Sequence, residues 1–341
     1  MYRTRAILLA ALFLSACTFQ RWTPAKSVAM DDHMSHMSAM DLRSPVLARG
    51  VVRDGQGVAG LPPSALTAAA RLKASPRHAE WVKIAWEPGS KDSIMAWVVY
   101  PASRGNAPVV VVIHEIFGLS TWVRGVADQV AADGFIAIAP DFLSRVRGGP
   151  SADELASDTA TKLIRGVSAA DKNAVIVAAA NYAMTLPSAD HKYGVIGYCW
   201  GGTATFNHAV HGGVMGFSGG VAFYGTPYAS PGMPATATMA AMAGGPIADS
   251  LAKIKMPVML LSGSLDARIT AMFPALDSMM KALGKNYSST NYQGAIHGFL
   301  RAQDDPPTGN NPPESAAANL AATKDGWPKT VAFLKKNLGV K

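Results

Sequence analysis

Gly197-Tyr198-Cys199-Trp200-Gly201-Gly202 sets a thiol among glycines, at the end of a β-rich run and the start of a helical one. The spacing G-x-Nuc-x-G is that of a nucleophile carried on a sharp strand-to-helix turn, with cysteine in the serine position. The glycines are physical requirements, because side chains there would strike the neighbouring strand and helix. A helix beginning beside Cys199 would favour its thiolate. An isolated cysteine is usually a small buried apolar residue, but the six-residue context argues for chemistry. A nucleophile also needs a base and a group that orients the base. Asp266, in Ser262-Gly263-Ser264-Leu265-Asp266, follows one apolar run, and His297, in Gly294-Ala295-Ile296-His297-Gly298-Phe299, follows the next. His297 can take the thiol proton, while Asp266 fixes its tautomer and stabilises the imidazolium.

A fourth segment, Ile113-His114-Glu115-Ile116-Phe117-Gly118, ends the run Pro108–Ile113. It stands where the second oxyanion-binding amide of such a site arises, so the Ile116 and Trp200 N–H groups are the expected donors. His114-Glu115 begins like the zinc motif H-E-x-x-H, but Gly118 stands at the second histidine position, so that reading fails. No G-x-G-x-x-G opens a helix and no G-K-[ST] is present, so no nucleotide cofactor is indicated, and the chemistry needs no metal. His33 and His36 precede the folded body, His78 precedes a strand and His191 reads as a turn. His208 and His211 end the helix after Cys199, and His114 is placed to shape the site.

The elements that must hold these residues alternate. His78–Trp86 and Ile94–Tyr100 read as an antiparallel pair around Pro88-Gly89-Ser90. Pro108–Ile113 is a β-branched run suited to burial on both faces. Strands are also expected at Phe135–Ala139, Tyr193–Gly197, Gly219–Tyr224, Pro257–Leu261 and Tyr287–Tyr292. Helices are expected near Ser64–Ala74, Thr121–Asp133, Ala152–Arg165, Ala169–Leu186, Cys199–Val210, Thr270–Leu283 and Pro313–Leu338. Alternation of this kind gives an α/β fold, a mostly parallel sheet covered by helices on both faces. Pro227–Ser250 interrupts the pattern with a long stretch rich in Ala, Met, Gly and Pro, read either as a lid or as a surface insertion.

The chain has 341 residues, 49% of them hydrophobic and 16% charged, which excludes a disordered protein. Its net charge is +8 without any basic run, so nucleic acid is not an expected partner. Arg3 and Arg5, the apolar Ile7–Leu14 and then Leu14-Ser15-Ala16-Cys17 read as a bacterial lipoprotein signal. On this reading residues 1–16 are removed, Cys17 is lipidated, and the exported protein is held on a membrane surface, facing the periplasm. Residues 17–60 read as a flexible tether, and 61–341 as the catalytic domain. Met30–Met40 offers thioether and imidazole groups of the kind Cu(I) takes, but composition alone assigns no metal there.

Taken together, the Glu115 segment, the cysteine elbow, Asp266 and His297-Gly298-Phe299 resemble the dienelactone hydrolase family of α/β-hydrolases over roughly residues 78–340. The resemblance implies that Glu115 holds the resting thiol neutral or activates it as substrate arrives. It also implies two arginines that clamp a substrate carboxylate: Arg145, after Ala139-Pro140-Asp141, and Arg301, four residues beyond His297. The planar guanidinium suits that task. The signal, the tether, the helix near Ser64–Ala74 and the Pro227–Ser250 insertion depart from the compact members of the family.

The expected reaction is acyl transfer through a thioester. Cys199 attacks an ester or lactone carbonyl, and His297 then activates water. A thiolate is readily expelled again, so good leaving groups such as enolates are favoured over amides. The expected partner is a small ester or lactone, carboxylate-bearing if the arginines act as a clamp. A broad short-chain esterase and a non-catalytic binding lipoprotein are the alternative readings.

Overall fold

The structure, a computed structural model, describes residues 57–87, 89–102, 105–151, 157–227, 246–304 and 313–340. The signal segment 1–16, Cys17, most of the tether with Met30–Met40, and 228–245 of the insertion lie outside the described residues.

Eight strands form one sheet: β1 (Ala79–Ala85), β2 (Ser93–Val99), β3 (Ala107–Ile113), β4 (Ile136–Pro140), β5 (Ala189–Tyr198), β6 (Phe217–Phe223), β7 (Val258–Gly263) and β8 (Tyr287–Tyr292). Their order is β1-β2-β4-β3-β5-β6-β7-β8. β2 pairs antiparallel with β1 and β4, and every other pairing is parallel. The described helices are α1 (Ala68–Ala74), α2 (Thr121–Ala132), α3 (Ser144–Arg147), α4 (Ser157–Arg165), α5 (Ala169–Met184), α6 (Trp200–His211), α7 (Pro246–Ala252), α8 (Ala267–Ala282) and α9 (Pro313–Leu338). This is the expected α/β layering. β3 and β4 are buried along their whole length, as continuous apolar strands in the middle of a parallel sheet must be.

Glycines show which helices cover which face. A side chain at Gly194 or Gly219, paired across β5 and β6, would meet Leu334 or Phe333 of α9. One residue on, Gly220 faces Thr205 of α6. Successive strand residues point to opposite faces, so α9 and α6 cover opposite sides of the sheet. Trp327 of α9 donates to Asp133 at the end of α2 (2.9 Å), which puts α2 on the α9 side.

Several boundaries differ from the sequence expectations. The first helix begins at Ala68, because Ser64 and Thr67 bond to each other in a turn: Ser64 N–H donates to Thr67 Oγ1 (3.0 Å) and Thr67 N–H to Ser64 Oγ (3.2 Å). β5 starts at Ala189, so His191 lies in a strand and not a turn. The short α3 was not anticipated; Ser144 N–H and Oγ–H both donate to the Asp141 carbonyl, which starts that turn.

His208 is buried between α5, α6 and β5. Its Nδ1–H donates to Asn173 Oδ1 (2.8 Å), and its Nε2 accepts from the Tyr193 hydroxyl (2.8 Å). This pattern needs a neutral ring, and burial, aided by the nearby His211, lowers its pKa from 6.5 to about 3. As pH falls below 6.5 the unfolded chain binds a proton here that the folded chain refuses. Its contribution to stability is therefore full above 6.5 and is lost toward pH 3, by up to about 1.4 kcal/mol per pH unit. Urea unfolding from neutral to mildly acid pH should show this slope, and His208→Gln should flatten it; an unchanged slope in the variant would rule this source out.

Candidate active site

Because β3, β5, β6, β7 and β8 run parallel, the segments leaving their C-terminal ends share one edge of the sheet. Ile113 pairs with Gly197, so Glu115 and Cys199 each lie two residues beyond a matched register on adjacent strands. The chain turns outward in opposite directions from this pair, to β4 and to β6, making the kind of crevice where open α/β sheets bind ligands.

Cys199 sits between β5 and α6 with φ +56° and ψ −115°, a strained conformation for a side-chain-bearing residue. The turn closes so tightly that a side chain at Gly197 would overlap the Gly201 carbonyl. One at Gly201 would lie 2.6 Å from the backbone oxygens of both Ile113 and His114. The elbow therefore packs backbone to backbone against the end of β3. Trp200 opens α6 and Ile116 lies in the buried turn after β3, so both candidate oxyanion donors stand at this edge.

Asp266 serves two partners. It caps α8 by accepting from Ile269 N–H through Oδ1 (3.3 Å), and its Oδ2 lies 2.6 Å from His297 Nδ1. Burial alone would lower the His297 pKa. The Asp266 charge and hydrogen bond, with the Cys199 sulfur, outweigh it and raise the pKa well above its ordinary value. The pairing conversely holds Asp266 below the usual carboxylate range despite its burial. Nε2, the other ring nitrogen, has no oxygen or nitrogen partner among the described residues and lies within electrostatic reach of Cys199. The β7 and β8 loops are tied together by Gly294 N–H to Ser264 Oγ (2.9 Å) and Leu265 N–H to the Ala295 carbonyl (3.0 Å).

Glu115 and Arg301 form a buried ion pair, Arg301 Nε to Glu115 Oε2 at 3.0 Å, with the guanidinium 5.7 Å from the centroid of the Phe117 ring. Gly298, at φ +74°, lets the turn after His297 fold back so that Arg301 reaches Glu115. Cys199, His297, Asp266, Glu115 and Arg301 are thus gathered at one edge. Arg145 stands on α3, beyond the end of β4, and is partly exposed. Its guanidinium stacks on Trp86 (4.0 Å) and pairs with Asp92 (3.2 Å) and Asp171 (3.7 Å), so in this structure it is engaged by these groups and not by Glu115.

Apart from His114, the other groups at this edge carried no clear sequence signal. His114, expected to shape the site, is a neutral wedge. Its Nδ1–H donates to the Glu115 carbonyl (2.6 Å), Phe142 N–H donates to its Nε2 (3.2 Å), and burial lowers its pKa. Its ring stacks on Trp200 at 5.8 Å, and Lys172, buried with its pKa lowered to about 7, lies 4.8 Å from the same indole. Tyr198 and Tyr224 are fully buried, and neither hydroxyl has a hydrogen-bond partner among the described residues. Burial first, and then the Glu115 charge, raises both their pKa values. Tyr224 lies 4.9 Å from the His297 ring and adopts φ +40°. Among the described residues no group of three or more His, Cys, Asp or Glu is arranged to hold a metal ion.

A nucleophile elbow after β5 of a mostly parallel sheet, with an acid after β7 and a histidine after β8, defines an α/β-hydrolase. The chain belongs to the dienelactone hydrolase family, whose model matches residues 94–338. A Methylorubrum extorquens protein named "Putative carboxymethylenebutenolidase" is 30% identical over 208 residues, 60% of this chain and 68% of that protein. A Salmonella typhimurium protein of the same name is 26% identical over 295 residues, 83% of this chain and 97% of the other. The Klebsiella pneumoniae structure "Putative Dienelactone Hydrolase" superposes with a TM-score of 0.58 at 24% identity, over 76% of this chain and 99% of that one. The chain is a hydrolase of the carboxymethylenebutenolidase type, acting on small esters or lactones.

The elbow packing is open to a direct check. The methyl of Gly201→Ala must displace two backbone carbonyls, so the variant should lose about 1–3 kcal/mol of stability and most of its activity. Wild-type stability in thermal unfolding would contradict the close approach of the elbow to β3.

Proposed function

We propose that the protein hydrolyses carboxylate-bearing enol-lactones and activated esters through a thioester on Cys199. The observation that carries this reading is the pairing of a 2.6 Å Asp266–His297 contact with a buried Glu115–Arg301 ion pair beside a strained cysteine elbow. The substrate carboxylate competes with Glu115 for the Arg301 fork. Glu115, losing its partner in a buried site, becomes a base for the thiol. The Cys199 sulfur then bonds the carbonyl carbon, and the Ile116 and Trp200 N–H groups receive the oxyanion, each worth about 2.7–4 kcal/mol in such sites. Collapse breaks the acyl C–O bond and expels an enolate, which takes the proton of the His297 imidazolium. The neutral His297, oriented by Asp266, then takes a proton from water as the water attacks the thioester, and the departing thiolate recovers its proton from Glu115. Oxidation states do not change, and no cofactor takes part.

Turnover of an acidic enol-lactone and its neutral methyl ester tests the reading. Cys199→Ala should lower both by about a thousandfold or more with the fold intact. Arg301→Ala should lower kcat/KM for the acid by about ten- to a hundredfold relative to the ester, the worth of a charged hydrogen bond. Arg145→Ala should leave that ratio unchanged. An unaltered ratio in Arg301→Ala, or near-normal turnover by Cys199→Ala, would overturn the assignment.

The location of the enzyme is part of the same proposal. The Leu14–Cys17 segment supports an exported protein lipidated at Cys17, with residues 17–60 tethering the hydrolase to a membrane on its periplasmic side. Two or three acyl chains suffice for stable anchoring where one does not. No described helix is long and apolar enough to cross a membrane. Mass spectrometry of the mature N-terminus should find acylated Cys17; a free amino terminus at another residue would reject the anchor.

A further inference from the structure

We infer that residues 61–67 form a strap that positions Arg301 and so sets the preference for acidic substrates, an inference that rests on the proposed role of Arg301. The strap lies before the first residue matched by the family model, 94, and nothing in its own sequence bears catalytic chemistry. It nevertheless bonds the turn that leaves His297. Ala65 N–H donates to the Arg301 carbonyl (3.0 Å). Gln303, itself buried, donates through Nε2 to Pro62 O (3.0 Å) and to Leu300 O (2.9 Å), bridging strap and turn.

The other side of the strap is equally fixed. Trp122 Nε1–H donates to the Pro63 carbonyl (2.9 Å), and the same indole packs edge-on against Tyr198, next to Cys199, at 5.0 Å. The Pro63 ring fills the space that a side chain at Gly125 of α2 would take, 2.7 Å from Pro63 Cγ. Two consecutive prolines restrict the backbone before folding and offer no N–H, so their carbonyls are the polar groups left to bond, and both do. The Ser64–Thr67 turn and the buried Leu61 and Leu66 close the segment.

The consequence is mechanical. His297 and Arg301 share one turn, closed by Arg301 N–H to the Gly298 carbonyl (2.9 Å) and opened at Gly298 with φ +74°. His297 is separately held by Asp266, whereas the backbone on the Arg301 side is anchored by the strap. Slackening the strap should therefore shift the guanidinium and leave the Asp266–His297 contact in place. Misplacement of a positioning group by even about 1 Å weakens the interaction it makes in the reacting complex.

The test measures kcat/KM for the acidic enol-lactone and its methyl ester in Gln303→Leu, Gly125→Ala and Arg301→Ala, with thermal unfolding of each. Gln303→Leu removes the bridge from the turn side, and Gly125→Ala displaces Pro63 from the opposite side. Both should raise KM for the acid so that the acid-to-ester ratio falls about three- to tenfold, with kcat for the ester unchanged. Equal losses on both substrates, or unfolding of both variants, would make the strap an element of the fold only and overturn the inference. A ratio that collapses in Arg301→Ala but stands in both strap variants overturns the inference alone. A ratio unmoved by Arg301→Ala removes the proposed role of Arg301 and the inference with it.

Discussion

A guanidinium and a carboxylate 3.0 Å apart, both almost sealed from water, are the constraint around which this active edge is organised. Removing both charges from solvent costs several kcal/mol each, and their attraction only offsets that cost, so such a pair is a poor way to stabilise a fold. It is a good way to store a charge that a ligand can release. Glu115 comes from the loop after β3 and Arg301 from the turn after β8, with β5, β6 and β7 between those two strands. The sheet order, the Gly298 turn and the packing of the elbow against β3 are all needed for the two to meet.

The nucleophile is handled differently. Cys199 is held by backbone geometry, in a conformation that an ordinary residue avoids, with glycines on either side because the Gly201 carbonyl leaves no room for a methyl group at Gly197, and the Ile113 and His114 carbonyls leave none at Gly201. His297 is held by charge: burial opposes its protonation, and Asp266 reverses that preference. Strain fixes the sulfur and electrostatics fixes the base, so the two can be aligned by independent parts of the chain. The aromatic wall of Trp200, His114 and Phe142 excludes water from the same region, where weak dipoles then act strongly.

The elbow, Asp266 and His297 could be read from the sequence because each sits at a fixed offset from a strand end, and strand ends announce themselves by β-branched runs and glycines. The register of β3 against β5 then carries Glu115 to the cysteine without further information. Arg145 could not be judged in that way. Its position after Ala139-Pro140-Asp141 suits a clamp, and nothing local announces that Asp92 and Asp171, 53 and 26 positions away in the sequence, pair with it. The strap was invisible for the same reason. Pro62, Pro63 and Gln303 are unremarkable residues whose meaning lies in contacts spanning some 240 positions. Tyr224 likewise follows an ordinary strand, and only its burial beside His297 sets it apart.

The central claim is that the acyl group passes through Cys199 and is released by His297. His297→Ala, mixed with an activated aryl ester and quenched at intervals, should accumulate a species heavier than the free protein by the mass of the acyl group. Peptide mapping should place that mass on the fragment containing Cys199, and hydroxylamine should remove it as it does a thioester. Turnover with no acylated species at any time, or an adduct on a different residue, would contradict the claim.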